Sequence, residues 1–583
     1  MLASRKHAQR RGARRSPQSR VALAAASVAV LVVALAVSGA ALVQAPNAFA
    51  APGVGPNDPQ AKQFVGAVSL AEIKEHQTAL QQIASLNNDT REVFSTGYQA
   101  SLDYVVSTLE AAGYDPEIDM FNFPFWQESQ PPVLNMVSPT PKTYIPGDAD
   151  DSDLPTSDFI TMANSPTVEL TNAPVFPVGG IVDPPTGGSD SGCEAADYTG
   201  VTGKVALVQR GTCPFVTKWS LAEAAGATGV IIYNEGNTPA RQNPTFVDNQ
   251  PDPPATIAAV ISSYALGNEL LQAYKQNLNP TVDFKVYGTF TDRFLPQVIA
   301  ETSDGDPNHV VVVGAHLDSV PEGPGINDDG SGTAMLLAQA EEIAEGNHKI
   351  RNKVRFAWFG AEENGLVGST YYAHNLSQSE VDKIDVMLDF DMLASPNYVR
   401  FVYDGDGNAE EGNPAGPEGS GKVEQVFDDW FRAQGLASER VPFDGRSDYV
   451  GFTDRGIPAG GVFAGAEGVK TPEQEAVYGG AAGSWYDPCY HQFCDNLTTV
   501  LTGVPPLDAE GLAPDGDEAA KVAAQGKMAG GALKSLDELS DAASYAVYYF
   551  AASKDPFGTK KPKKDSTSTL AREWKGHGHR VNR

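Results

Sequence analysis

Three apolar runs in this chain lead into side chains that can bind a metal or carry a proton. Val310-Val-Val-Val-Gly-Ala runs into His316, Phe356-Ala-Trp-Phe leads to Glu362 and Glu363, and Val386-Met-Leu-Asp-Phe runs into Asp391. Short runs of this kind read as buried strands of a parallel sheet. Open α/β sheets place their sites just outside the carboxyl ends of such strands. The pattern therefore predicts an α/β fold with one site built from several strand ends.

The neighbouring residues extend that site. Asp328 stands in the Gly-rich segment INDDGSG (residues 326–332). A carboxylate there can span two metal ions about 3.5–4 Å apart with its two oxygens. Asp329 is the competing choice, and either is also suited to an Asx-turn. Asp318 is too close in sequence to His316 to ligate the same ion easily. It suits holding the His316 ring by the ring's other nitrogen. Glu362 and Glu363 repel each other, so a site must give them different tasks. Otherwise they are the acidic first turn of a helix. His491 lies between Cys489 and Cys494, and a disulfide there stiffens its loop.

The five segments GAHLDS (314–319), INDDGSG (326–332), WFGAEENGLVGS (358–369), DFDM (389–392) and CYHQFC (489–494) occur in that order. Together they resemble the secreted bacterial zinc aminopeptidases of the leucyl aminopeptidase and aminopeptidase Y family, from about Ser69 to Leu497. The resemblance implies a three-layer α/β/α zinc-peptidase core with a mixed sheet. It implies two zinc ions, held by His316, Asp328, Glu363, Asp391 and His491, with Asp328 favoured over Asp329 as the bridge. Asp391 completes the His316 ion and His491 the Glu363 ion. It makes Glu362 the general base and Tyr490 a hydrogen-bond donor to the oxyanion. Arg446, in GRSD (445–448), resembles a family arginine near the substrate, and reads equally as a surface ion pair. A second segment, GKVALVQRGTCPFVTKWSLAEAAGATGVIIYNE, resembles the protease-associated domain, a small α/β module expected as an insertion at about 170–287.

The remaining organisation follows from composition. At 583 residues the chain exceeds one core,. Its net charge of −31 argues against nucleic acid as a partner,. Residues 1–20 are basic, 21–43 apolar, and Ala48-Phe49-Ala50 forms a small-residue cleavage pattern. We read 1–50 as a signal peptide, and an uncleaved anchor as the alternative. The pairs Arg10–Arg11 and Arg14–Arg15 fit a twin-arginine route or a generic basic leader. All four cysteines lie in the exported part. Cys489–Cys494 is the local disulfide, which leaves Cys193–Cys213 as the other.

The peptidase domain is expected over 51–169 and 288–500. A helical extension follows at 501–558, with Tyr545, Tyr548, Tyr549 and Phe550 on its apolar face. A basic, disordered tail closes the chain at 559–583. The expected protein is a secreted monomer acting on peptides with a free N-terminus and not inserted in a membrane. A di-zinc carboxypeptidase, needing a basic cluster for the substrate carboxylate, and a peptidase-like binding protein without metals are the alternatives.

Overall fold

The computed structural model describes residues 54–558 except 148–156, 239–240, 246, 248–253, 347, 410–413 and 515. The expected signal peptide and basic tail lie outside the described residues. A mixed eight-stranded sheet forms the peptidase core. Its order is Glu117–Glu128, Gly288–Glu301, Asn352–Phe359, Asp306–His316, Ile384–Asp389, Ala459–Phe463, Phe401–Tyr403 and Glu439–Val441. The four strands at its centre, Asn352–Phe359 through Ala459–Phe463, are mutually parallel. The valine run feeds both faces of the sheet. Val311 and Val313 pack in one hydrophobic cluster and Val310 and Val312 in another, as the two-residue strand period requires. The first cluster takes in the helices Gly330–Glu345, Ser420–Gln434 and Gly531–Ala552. The second takes in Val367–Asn375 and Val450–Asp454. The strand runs called for an α/β fold, and the result is the three-layer α/β/α arrangement that the resemblance implied.

A second eight-stranded sheet lies between the first two peptidase strands in the chain. Its order is Lys142–Thr143, Val133–Ser138, Thr281–Val286, Val168–Pro177, Val205–Gln209, Gly229–Tyr233, Ala259–Ser262 and Phe159–Thr161. It begins at Val133, well ahead of the boundary expected at 170. Its early strands are short and lie in Pro- and Asp-rich sequence, which gives little alternation to read. Its cover includes the helices Phe215–Ala224 and Tyr264–Lys275, and Cys193 is disulfide-bonded to Cys213. The insertion enters and leaves through one ribbon. Glu117–Glu128 pairs antiparallel with Gly288–Glu301 along its length, and Ser129 N–H donates to the Tyr287 carbonyl at 3.0 Å.

The helical extension is two helices, Glu518–Met528 and Gly531–Ala552. Gly530, at φ +76°, separates them in a left-handed conformation that glycine adopts without strain,. Tyr545, Tyr548, Tyr549 and Phe550 are all buried in the peptidase core.

Candidate active site

His316 is the last residue of its strand. Its Nδ1 lies 3.0 Å from the Asp318 main-chain carbonyl. A carbonyl only accepts, so Nδ1 carries a proton and Nε2 is the nitrogen turned toward the site. Nε2 lies 3.2 Å from Asp328 Oδ1 and 3.7 Å from Asp391 Oδ1. The other Asp328 oxygen, Oδ2, lies 3.2 Å from His491 Nε2. The same Nε2 is 3.0 Å from Glu363 Oε2. Asp328 thus stands between a His316–Asp391 pair and a Glu363–His491 pair with one oxygen toward each.

Asp329 lies near enough to His316 and Asp391 to be a third donor there. Its oxygens instead accept the main-chain N–H groups of His316, Gly332 and Met392 at 3.2, 2.8 and 3.3 Å. It caps the helix Gly330–Glu345,. That commitment leaves Asp328 as the carboxylate aimed between the two pairs.

Asp318 acts on the histidine ring through its carbonyl rather than its carboxylate, whose Oδ1 is 3.7 Å from Nδ1. The carboxylate accepts the main-chain N–H groups of Glu362 and Glu363 at 3.2 and 3.3 Å. One residue therefore orients His316 and both glutamates.

Cys489 and Cys494 are disulfide-bonded and bracket Tyr490 and His491. The Tyr490 ring stacks on His491 at 3.8 Å between centroids. Arg446 Nη2 donates to Tyr490 Oη at 3.1 Å, and the guanidinium is forked onto Glu467. Arg446 is therefore at the site, but already paired.

Burial and charge set the electrostatics. Asp318, Asp328, Asp329 and Glu363 are all buried. Burial opposes the charge on His491, but Glu363 and Asp328 hold its imidazole up at about 9. Burial pushes the Glu362 carboxyl well above the usual range, with His316 opposing and Glu363 and Asp391 reinforcing. Asp391 Oδ2 accepts from the Ser447 hydroxyl at 2.9 Å. Its Oδ1, facing His316, accepts no hydrogen bond. Imidazoles and carboxylates in this arrangement are a donor set suited to zinc.

Residues 297–504 match peptidase family M28, and all five candidate ligands fall inside that stretch. An aminopeptidase of Pseudomonas aeruginosa is 43% identical over 438 residues, covering 74% of this chain and 78% of its own. The chain belongs to peptidase family M28. Within this M28 chain, residues 172–270 match the PA domain. Leucine aminopeptidase 2 of Arthroderma otae is 36% identical and is covered over 83% of its length by 76% of this chain. BSAP, a zinc aminopeptidase from Bacillus subtilis, is similar in fold at TM-score 0.53 and 21% identity, over 82% of this chain and 95% of its own.

Four residues around the M28 site escaped the sequence reading. Asp495 accepts the main-chain N–H groups of Asn327 and Asp328 at 2.7 and 2.9 Å. Asp487 accepts from the Asn327 amide at 2.6 Å and from Cys489 N–H at 2.8 Å. Arg91 is fully buried and donates to the carbonyls of Leu317, Pro324 and Gly325, tying down the loop before Asp328. Glu467 holds Arg446. Asp487 and Asp495 flank the Cys489–Cys494 bracket, which was a usable signal. Arg91 and Glu467 stand in unremarkable sequence, far along the chain from what they hold.

Proposed function

We propose that this M28 peptidase is an exported aminopeptidase that uses two zinc ions and Glu362 as general base. Asp328 carries the reading, because its two oxygens face two separate imidazole–carboxylate pairs. One ion would be held by His316, Asp328 and Asp391, the other by Asp328, Glu363 and His491. Zinc, when bound, supplies Lewis acidity toward the scissile carbonyl and lowers the pKa of the attacking water.

The chain's own residues do the rest. Glu362, held by Asp318 through its main-chain N–H, takes the proton of the attacking water. It then passes that proton to the leaving amine. The Tyr490 hydroxyl, positioned by Arg446, donates to the oxygen that becomes negative. The carboxylate-rich surroundings favour a protonated N-terminal amine at the chain end. An apolar N-terminal residue is the proposed preference, in line with the leucine aminopeptidase relative.

The carboxypeptidase alternative needs an unpaired cation for the substrate carboxylate. Arg446 is held on both terminal nitrogens by Glu467, which weighs against it. The metal-free binding alternative fits poorly with a full donor set brought together. Export is supported by the Ala48-Phe49-Ala50 pattern and by two disulfides with no free cysteine. Among the described residues no helix is long and apolar enough to cross a membrane.

The test is a panel of aminoacyl 4-nitroanilides and their N-acetylated counterparts. Cleavage of the free amines, Leu foremost, with the acetylated forms inert is expected. Equal cleavage of the blocked forms would overturn the aminopeptidase reading.

A further inference from the structure

Arg446 lies at the site but takes no part in the proton transfers above. Its Nη1 is 2.7 Å from Glu467 Oε1 and its Nη2 is 3.0 Å from Glu467 Oε2. This is the forked geometry in which a carboxylate best matches a guanidinium. The Arg446 and Glu467 side chains are 24% and 23% exposed, so water screens the pair only in part,. Nη2 also donates to Tyr490 Oη, and the guanidinium carbon is 5.9 Å from the Tyr490 ring centre.

Both partners sit on pinned backbone. Glu467 follows the central strand Ala459–Phe463. Side chains at Gly465 or Gly468 would meet the Tyr486 ring at 2.5 and 2.6 Å. The segment carrying Glu467 is therefore packed tightly against Tyr486. Arg446 follows Gly445, at φ +83°, whose N–H donates to Tyr449 Oη at 2.7 Å.

This pairing bears on which peptides the site accepts. A dipeptide carries its free carboxylate on the residue that is released, close to the scissile nitrogen. A longer peptide or a dipeptide amide carries a neutral amide there. An unpaired arginine beside the Tyr490 hydroxyl would attract the carboxylate and bias the enzyme toward dipeptides. We propose that Glu467 is a specificity-determining residue that masks Arg446, so that long peptides and amides are accepted as readily as dipeptides. Glu467 acts through Arg446 and is a positioning residue. The inference rests on the aminopeptidase reading.

The test compares kcat/KM for Leu-Gly and Leu-Gly amide with the zinc-loaded full chain. The wild-type ratio should lie within about three-fold of unity, the small residue expected when no charged hydrogen bond to the carboxylate forms. Glu467→Gln keeps the size and one acceptor but removes the charge. It should move the ratio toward the dipeptide by about ten-fold or more, the scale of one charged hydrogen bond. Adding Arg446→Met to that variant should return the ratio to the wild-type value, because the effect passes through Arg446.

A merely structural role would slow both substrates together and leave the ratio alone. That result, in an active zinc-loaded Glu467→Gln enzyme, would overturn the inference. So would a wild-type ratio already about ten-fold or more toward the dipeptide, a measurement that needs no variant to fold. A zinc-loaded wild type that cleaves neither substrate would overturn the aminopeptidase reading itself and this inference with it.

Discussion

Replacing Glu362 and Glu363 one at a time separates proton transfer from metal holding. Glu362→Gln should keep its zinc and lose about 10²–10⁴-fold in kcat, the range for a positioned general base. Glu363→Gln should lose affinity for one ion and recover in part as zinc is raised, since Glu363 faces His491 at 3.0 Å,. Metal analysis beside rate measurement checks both, and the reverse pattern would exchange the two roles. Proton linkage offers a second check. Without metal, Glu363 and Asp328 hold His491 protonated up to about pH 9, and His316 is held well above its ordinary value too. Zinc binding at pH 7.5 should therefore release protons, and apparent affinity should rise with pH through the neutral range. Calorimetry in buffers of different ionisation enthalpy measures the release, and none detected would contradict this charge state. His316, Glu362, Glu363 and Asp391 were legible because each ends or follows an apolar strand, His491 because cysteines bracket it, and Asp328 through its Gly-rich segment. Asp318 was legible as a partner of His316, but not the atom it uses. Which of its oxygens meets the ring depends on where Glu362 and Glu363 place their N–H groups.

At the scale of elements, strand ends and loop clamps divide the work. Parallel strands fix His316 and lead to Glu362, Glu363 and Asp391, while the Cys489–Cys494 loop brings in His491. Asp495, one residue past that loop, holds the backbone of Asp328. Asp495→Asn should therefore weaken zinc binding although Asp495 is not itself aimed at the ions, and metal competition titration reads this directly. The helix Gly531–Ala552 gives a prediction about stability. Burial, then Asp537 and Glu538, raise the Asp541 carboxyl from 3.8 to about 7. Between those values the folded chain holds a proton that the unfolded chain has lost. Stability should fall as pH rises through that window, with the full cost present above pH 7. Asp541→Asn should raise Tm by about 2 °C or more at pH 8 and change little at pH 4. An equal shift at both pH values would show that charge is not the cause. The helical character of this segment was legible from its alanines and aromatics. The break at Gly530 was signalled by the Gly530-Gly531 pair, although the segment reads as one helical extension,.

At the scale of the whole molecule, the peptidase core and its insertion meet through one antiparallel ribbon. Because Ser129 and Tyr287 are hydrogen-bonded neighbours, a short turn can replace 130–286 without separating the ribbon strands. Such a deletion variant, if soluble, should keep its zinc and cleave a single-residue amide within about ten-fold of the full chain, since none of the proposed ligands lies in the excised segment. Zinc-loaded but inactive protein would give the insertion a direct part in the chemistry. The PA-like segment was legible through its resemblance to the protease-associated domain. The match to the PA domain starts at residue 172, close to the expected 170, while the sheet also takes in short strands from Val133 onward, in sequence that gives little alternation.

The central claim is that two zinc ions bridged by Asp328 make this chain an aminopeptidase. The most direct measurement is leucine 4-nitroanilide hydrolysis by metal-free full-length protein as zinc is added back, with bound metal counted at each step. The account predicts no turnover without metal and a rate that climbs until two ions are bound per chain. Full turnover in metal-free protein, or full activity with Asp328→Asn and no bound zinc, would contradict it.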